Sequence, residues 1–236
     1  MGVPVLATCM ERRETTIDGL FLGELPSRAR SEFESISCTI NYPDGAAIFA
    51  EGQSPRGVFI VRRGQVKLSI CSSEGKTLIL RLAEPGEVLG LAGTLSSRPY
   101  EMTAEAVGPC EVEYVKRDGF LRFMQSHNEV CLWVAEQLSH MYNTACHEIR
   151  SLGLSHSAAE KLAKLLLDWS GHNGDTRQNA RIKLSLTHEE VAQMIGTSRE
   201  TVTRLFADFR KRQFIQLNGS TLLIRNKASL EAMAHS

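Results

Sequence analysis

Between Leu186 and Arg212 the chain carries two helix-start signals separated by a glycine, and few arrangements accommodate such a pattern. Thr187 is an N-cap residue, and Glu190 three positions later completes a capping box, in which hydroxyl and carboxylate each satisfy the other's backbone donor. Val191, Met194 and Ile195 supply the apolar face of a short helix. Gly196 ends it, because the tight turn that follows needs a left-handed residue. Ser198 caps a second helix with Thr201 at its third position, and Val202, Leu205, Phe206 and Phe209 form its buried stripe. Helix, glycine turn, helix is the helix-turn-helix layout.

The opposite face of the second helix presents Arg199, Glu200, Thr203 and Arg204 in its first turns. That is the part of a recognition helix that reaches base edges. An arginine fork matches guanine O6 and N7, and a carboxylate accepts from cytosine N4. The competing reading is a Glu200–Arg204 surface pair at i,i+4 spacing. Arg210, Lys211 and Arg212 are either phosphate contacts or a solvated basic end near a helix C-terminus. Asn218-Gly219 between Phe214-Ile215-Gln216-Leu217 and Thr221-Leu222-Leu223-Ile224 predicts a hairpin, which behind a helix-turn-helix is a wing.

The remaining chain sets the context. A net charge of zero conceals an asymmetry: residues 156–236 hold twelve Lys/Arg against eight Asp/Glu, and the rest fifteen against nineteen. A basic C-terminal part suggests a polyanion partner for that part alone. No apolar run is long enough for a membrane span, and no secretory leader is evident, so reduced thiols and a cytoplasmic location are expected. The six cysteines form no CxxC pair, which argues against a zinc site. A metal enzyme on a β-barrel is disfavoured because no histidine occurs from Gly19 to Ser126.

Residues 1–19 read as an arm. From 20 to 125 short strand-like runs (Phe59-Ile60-Val61, Val66 to Ile70, Leu78 to Leu82) alternate with turns at Arg63-Gly64-Gln65, Ser73-Glu74-Gly75-Lys76 and Glu84-Pro85-Gly86. This predicts an all-β sandwich or barrel. From 126 to 153 neither proline nor internal glycine interrupts, and Cys131, Val134, Leu138, Met141, Ala145, Glu148 and Leu152 follow steps of three and four. That spacing predicts a long helix whose stripe is a dimer seam; the alternative is a helix packed on its own barrel. Gly153 and Ser155 mark a hinge, Ser157 a cap for the next helix, and residues 154–236 the winged domain.

Ile195-Gly196-Thr197-Ser198-Arg199-Glu200-Thr201-Val202-Thr203-Arg204 resembles the recognition motif of the Crp/Fnr family of transcription regulators. Ala50-Glu51-Gly52-Gln53, Gly57 to Val66, and Pro85 to Gly90 resemble that family's cyclic-nucleotide-binding-type barrel. The resemblance spans about residues 20 to 230. It implies an α+β chain: an N-terminal β-jelly-roll sensor, a dimerisation helix and a C-terminal winged helix-turn-helix. It implies a homodimer on a palindromic operator with TGTGA-like half-sites, RNA polymerase as a partner, no enzymatic activity and no membrane association. Matched residue by residue, it assigns base contact to Arg199, Glu200 and Arg204, within a DNA-binding set that includes Thr187, Ser198, Thr201 and Thr203. A signal at the barrel–helix junction is expected to shift the pose of the long helices and so the spacing of the recognition helices.

The same resemblance places an effector pocket at Gly86, Glu87, Val88, Leu89, Gly90, Leu91, Met102 and Thr103. The family's cyclic-nucleotide binders carry a Glu after the cassette glycine and, further on, an Arg that neutralises the cyclic phosphate. Here Gly90-Leu91-Ala92 has no such Glu, Tyr100-Glu101-Met102-Thr103 has no Arg, and Arg98 precedes Pro99. Tight cyclic-AMP binding is therefore not expected, and the effector is another molecule or none. An iron–sulfur cluster, as in the oxygen-sensing branch, calls for four thiolates, yet only Cys9 lies in the arm, with Cys38 well beyond. Haem would draw on His127, His140 or His147, of which the last two equally suit positions flanking the seam. A thiol switch at Cys9, Cys38 or Cys146 and a ligand-binding module without DNA reading complete the alternatives.

Overall fold

The computed structural model describes residues 26–154, 157–172, 181–183, 186–219 and 221–234, with the side chains of 147, 148, 151–154, 171, 172 and 181–183 outside the described set. The arm at 1–19 with Cys9, hinge residue Ser155 and most of the polar stretch from Gly171 to Asn179 fall outside it. The chain divides into two compact units, each described by itself.

The first contains α1 (Ser27–Ile36), β1 (Ser37–Tyr42), β2 (Ala47–Phe49), β3 (Gly57–Cys71) as far as Leu68, the end of β4 (Thr77–Ala83) from Leu82, β5 (Val88–Leu89), α2 (Leu91–Ser96), β6 (Thr103–Lys116), α3 (Arg117–Ser126) and the start of α4 (Asn128–Leu154) as far as His140, while residues 69–81 and the rest of α4 count with the second unit. The sheet runs β1-β6-β3-β4, with β2 also on β6 and β5 also on β3. Strand β1 pairs antiparallel with β6 from Ser37 opposite Val115 to Tyr42 opposite Cys110.

Alternation along β3 builds two cores, because successive side chains of a strand point to opposite faces. Phe59 and Val61 enter an inner cluster with Phe49, Leu68, Leu89, Tyr100 and Val112. Val58 and Ile60 enter a second cluster with Phe33 of α1, Phe120 and Phe123 of α3, and Val130, Trp133 and Val134 of α4. The rings of Phe33 and Phe123 meet edge to face at 5.5 Å.

Strand β3 runs unbroken through Arg63-Gly64-Gln65, where the sequence suggests a turn. Gly64 has φ +83°, and a Cβ there would lie 2.7 Å from the Pro109 carbonyl oxygen. The glycine lets the strand bend close against β6 without ending it. The turns at Ser73 to Lys76 and Glu84 to Gly86 stand, the first closed by Ser72 N–H to the Lys76 carbonyl at 2.9 Å. Helices α1, α2 and α3 are further departures from an all-β reading of residues 20–125.

The second unit contains α5 (Ala158–His172), β7 (Arg181–Lys183), α6 (His188–Ile195), α7 (Arg199–Lys211), β8 (Ile215–Asn218), β9 (Thr221–Ile224) and α8 (Lys227–Ala234). Ser157 caps α5 through the Glu160 N–H at 3.2 Å. Strands β8 and β9 form the hairpin expected around Asn218-Gly219, with Ile215 opposite Ile224 and Asn218 opposite Thr221. Strand β7 adds itself to the far side of β9. Leu162 and Leu166 of α5, Val202 and Phe206 of α7, Leu222 and Leu230 are fully or almost fully buried.

Candidate nucleic-acid interface

Thr187 accepts the Glu190 N–H at 3.2 Å, and Glu190 Oε2 accepts the Thr187 N–H at 2.9 Å, closing the capping box. Gly196 ends α6 in the left-handed region at φ 65°. Ser198 then caps α7 by accepting the Thr201 N–H at 3.3 Å, with the Thr201 hydroxyl 3.1 Å from its own. Burial of Val202, Phe206 and Phe209 fixes which side of α7 faces inward. The side left outside carries Arg199, Glu200, Thr203 and Arg204, all exposed. All seven sequence-predicted residues thus lie at the start of α6 or within the first two turns of α7 and its cap, Thr187, Ser198 and Thr201 serving as caps or cap partners.

The Glu200–Arg204 surface pair does not form: neither residue takes part in an ion pair among the described residues. The Glu200 carboxyl is instead held below its ordinary value by a backbone N–H at its own position, then by the Ser198 hydroxyl and the charge of Arg199, with slight desolvation opposing. Arg212 is engaged within the domain, its Nε 3.0 Å from Asp208 Oδ2 and its guanidinium 5.9 Å from the Phe214 ring centre. Arg210 and Lys211 remain exposed.

One residue at this face gave no sequence signal. His188, the first residue of α6, places Nδ1 2.9 Å from the Thr203 hydroxyl and stacks on Phe206 with ring centres 5.0 Å apart. Only the fold brings these helices together, so no local pattern announces the contact.

The residues assigned to an effector pocket do not converge on one space. Leu89 and Met102 belong to the inner core, whereas Val88 and Leu91 belong to the cluster under the helices. Glu87 turns back to accept the Glu84 N–H at 2.9 Å, and the Gly86 N–H donates to the Val61 carbonyl at 2.8 Å. The Thr103 hydroxyl accepts from Glu51 N–H at 3.0 Å. Gly90, at the start of α2, faces the Tyr100 ring so closely that a Cβ there would stand 2.8 Å from Cε1, and one at Gly93 3.2 Å from Cδ1. Tyr100 is 2% exposed, and its ring centre lies 4.2 Å from that of Phe49. The stretch from Gly90 to Tyr100 is packed on its own tyrosine.

Along the long helix the residues read as a seam have varied surroundings. Val134 is 3% exposed within the chain's own core and Leu138 packs against it. The Cys131 thiol donates to the Met124 carbonyl at 3.3 Å. Met141 is half-buried and Ala145 exposed, while the side chains of Glu148 and Leu152 lie outside the described residues. Among the described residues, the large apolar side chains left in solvent are Leu132 at 66%, Tyr142 at 71% and Ile149 at 70%. With Ala135, Ser139 and Cys146 they make a stripe in steps of three and four, displaced by one residue from the predicted one. Periodicity alone does not separate a face that packs on its own barrel from one that meets a partner.

His127 is 9% exposed at its side chain, with Nε2 2.9 Å from Glu32 Oε2 of α1 and Nδ1 3.4 Å from Glu129 Oε1 of α4, so both ring nitrogens face carboxylates. His140 is exposed, and the side chain of His147 is outside the described set. Among the described residues no group of three or more His, Cys, Asp or Glu could hold a metal ion, and no helix is long and apolar enough to cross a membrane.

A family model described as a cyclic nucleotide-binding domain matches residues 39–127, and one described as a Crp-like helix-turn-helix domain matches residues 160–233. The chain belongs to the Crp/Fnr family of transcription regulators. This Crp/Fnr regulator is 26% identical over 217 residues to the CRP-like cAMP-activated global transcriptional regulator of Mycobacterium tuberculosis, covering 92% of this chain and 96% of that one. It is 25% identical over 216 residues to the transcriptional activatory protein AadR of Rhodopseudomonas palustris, covering 90% and 87%. The solved structure of FixK2 from Bradyrhizobium japonicum shares the fold, with a TM-score of 0.75 at 21% identity over 84% of this chain and 97% of that one. The regulator carries a helix-turn-helix DNA-binding domain, and its family is not a class of enzymes.

Proposed function

We propose that this regulator acts as a homodimer on a twofold-symmetric operator with TGTGA-like half-sites, meets RNA polymerase there, and needs no cyclic AMP. The carrying observation is the exposed row Arg199, Glu200, Thr203 and Arg204 on the outer side of α7, above a base of buried Val202, Phe206 and Phe209. Arg199 and Arg204 offer forks for guanine, and the ionised Glu200 offers an acceptor for cytosine N4. Exposed Arg210 and Lys211 supply phosphate contacts. The stripe from Leu132 to Ile149 supports pairing of two copies along α4, which would set the two recognition helices about 34 Å apart, one turn of DNA.

The cassette supports independence from cyclic AMP. Leu91 stands where a carboxylate would hold the ribose, and Tyr100-Glu101-Met102-Thr103 offers no guanidinium to neutralise the phosphate. Tyr100 packs into the space that Gly90 and Gly93 leave open. A cyclic nucleotide does not fit these residues as they stand, whatever activates the mycobacterial relative.

The test is selection of bound sequences from random DNA by the purified full chain, with and without cyclic AMP. A palindrome of TGTGA-like halves, enriched equally in both arms, is the expected result. Absence of any enriched sequence, or enrichment only with cyclic AMP, would overturn the reading.

A further inference from the structure

The polar contact that His188 makes between the two helices of the reader constrains what Thr203 shows to DNA. The Thr203 hydroxyl has one hydrogen, and it is spent on the Arg199 carbonyl at 3.0 Å. Toward His188, 2.9 Å away, the hydroxyl therefore only accepts, so Nδ1 of the imidazole carries the hydrogen. Stacking on buried Phe206, with an interplanar angle of 13°, holds the ring in the plane that makes this contact. The hydroxyl of Thr203 thus gives its hydrogen to its own helix and one lone pair to α6, so it has no donor left for a base edge. The exposed side chain shows that face its methyl group beside a single remaining acceptor position.

The geometry points to Thr203 as an apolar base reader: held by His188, it presents its methyl to the 5-methyl of a thymine in each half-site. This rests on the operator reading above and extends it to a residue whose hydroxyl, if free, would bond to more than one base edge. A methyl pair distinguishes thymine from every other base by contact alone. His188 is a positioning residue here, acting through Thr203 and needing no contact of its own with DNA. One methyl-sized contact corresponds to about fourfold in affinity.

The probe is the selected operator resynthesised with deoxyuridine in place of thymine, one symmetric pair of positions at a time, which removes only the 5-methyl. The expected result is one position per half-site at which uracil weakens binding by about fourfold for each half-site. That penalty should vanish in Thr203→Ser, which keeps the hydroxyl and its bonds but lacks the methyl, and should shrink in His188→Ala, where the hydroxyl is released. Thr203→Ser disturbs no buried contact, and the thermal midpoint reports whether His188→Ala folds. If uracil is silent everywhere in the parent protein, or its penalty is undiminished in Thr203→Ser, the inference falls while the operator reading stands. A penalty unchanged in folded His188→Ala removes the positioning role. If selection enriches no sequence, the operator reading falls and takes this inference with it.

Discussion

Tyr100 donates its hydroxyl hydrogen to the Gly57 carbonyl at 2.8 Å while accepting the Gly57 N–H at 3.2 Å, so one side chain closes on both polar groups of a residue 43 positions away. It also accepts the Arg56 N–H at 2.9 Å. Replacing Tyr100 by Phe keeps the ring against Gly90 but leaves the buried Gly57 N–H and the part-buried Arg56 N–H without their acceptor. The expected loss is ~1–3 kcal/mol of unfolding free energy, read by chemical denaturation. A change within experimental scatter would show that the hydroxyl contributes packing alone.

The two sides of α4 should respond differently to substitution. Val134→Ala removes two methyl groups from the barrel's own core and is expected to cost ~2 kcal/mol without changing oligomeric state. Tyr142→Glu places a charge in the middle of the exposed stripe. It should shift sedimentation toward monomer while leaving the emission of buried Trp133 unaltered. Dissociation by Val134→Ala with a Tyr142→Glu protein still dimeric would return the seam to the residues first read from the sequence.

Because the Glu200 carboxyl is held below its ordinary value of 4.5, it stays ionised as pH falls toward the range in which a free glutamate takes up its proton. Preference for the base pair it contacts should therefore persist down to about pH 5, and Ser198→Ala should move the loss upward. Glu200→Ala should relax that one base pair by roughly tenfold and leave the others alone. Binding to the operator and to single-base variants across pH checks both statements. A uniform loss over all sequences would assign Glu200 to folding instead.

At alkaline pH the barrel should weaken. Burial, then the neighbouring charge of Glu111, pushes the Cys110 thiol above its ordinary 9.0, and burial does most to raise the Tyr42 and Tyr114 phenols above 10.0. Acids whose protons are held more tightly in the fold than in the unfolded chain give stability that is complete below the unfolded value and lost as pH rises from there through the folded one. Denaturation midpoints should be level from pH 7 to about 9 and then decline. At neutral pH a maleimide should modify exposed Cys38, Cys71 and Cys131 before Cys110. A midpoint that rises above pH 9 would reverse the sign.

The readable parts of the fold were those decided within a few residues. Thr187, Gly196 and Ser198 announce two helices because caps are local chemistry, and Asn218-Gly219 announces a hairpin for the same reason. Gly64 was read as a break because its bend is stabilised by β6, more than forty positions onward, which no short window contains. Helix α1 has no side-chain cap, and β7 is three residues long, so neither rises above its surroundings. The Val134 stripe shows that spacing gives the existence of an apolar face but not its occupant. His188 and Thr203 belong together only once two helices have packed.

The four residues Val58, Phe59, Ile60 and Val61 serve the inside of the barrel and the root of the long helix in strict turn. Such a segment cannot be lengthened by one: a single inserted residue would send phenylalanine to where isoleucine belongs and misfill both compartments together. The loop at Ser73-Glu74-Gly75, wholly in solvent, carries no such bookkeeping and can absorb the same insertion. Tolerance to indels should thus change abruptly along β3 and its following turn, from none at the base of the hairpin to nearly complete at its tip.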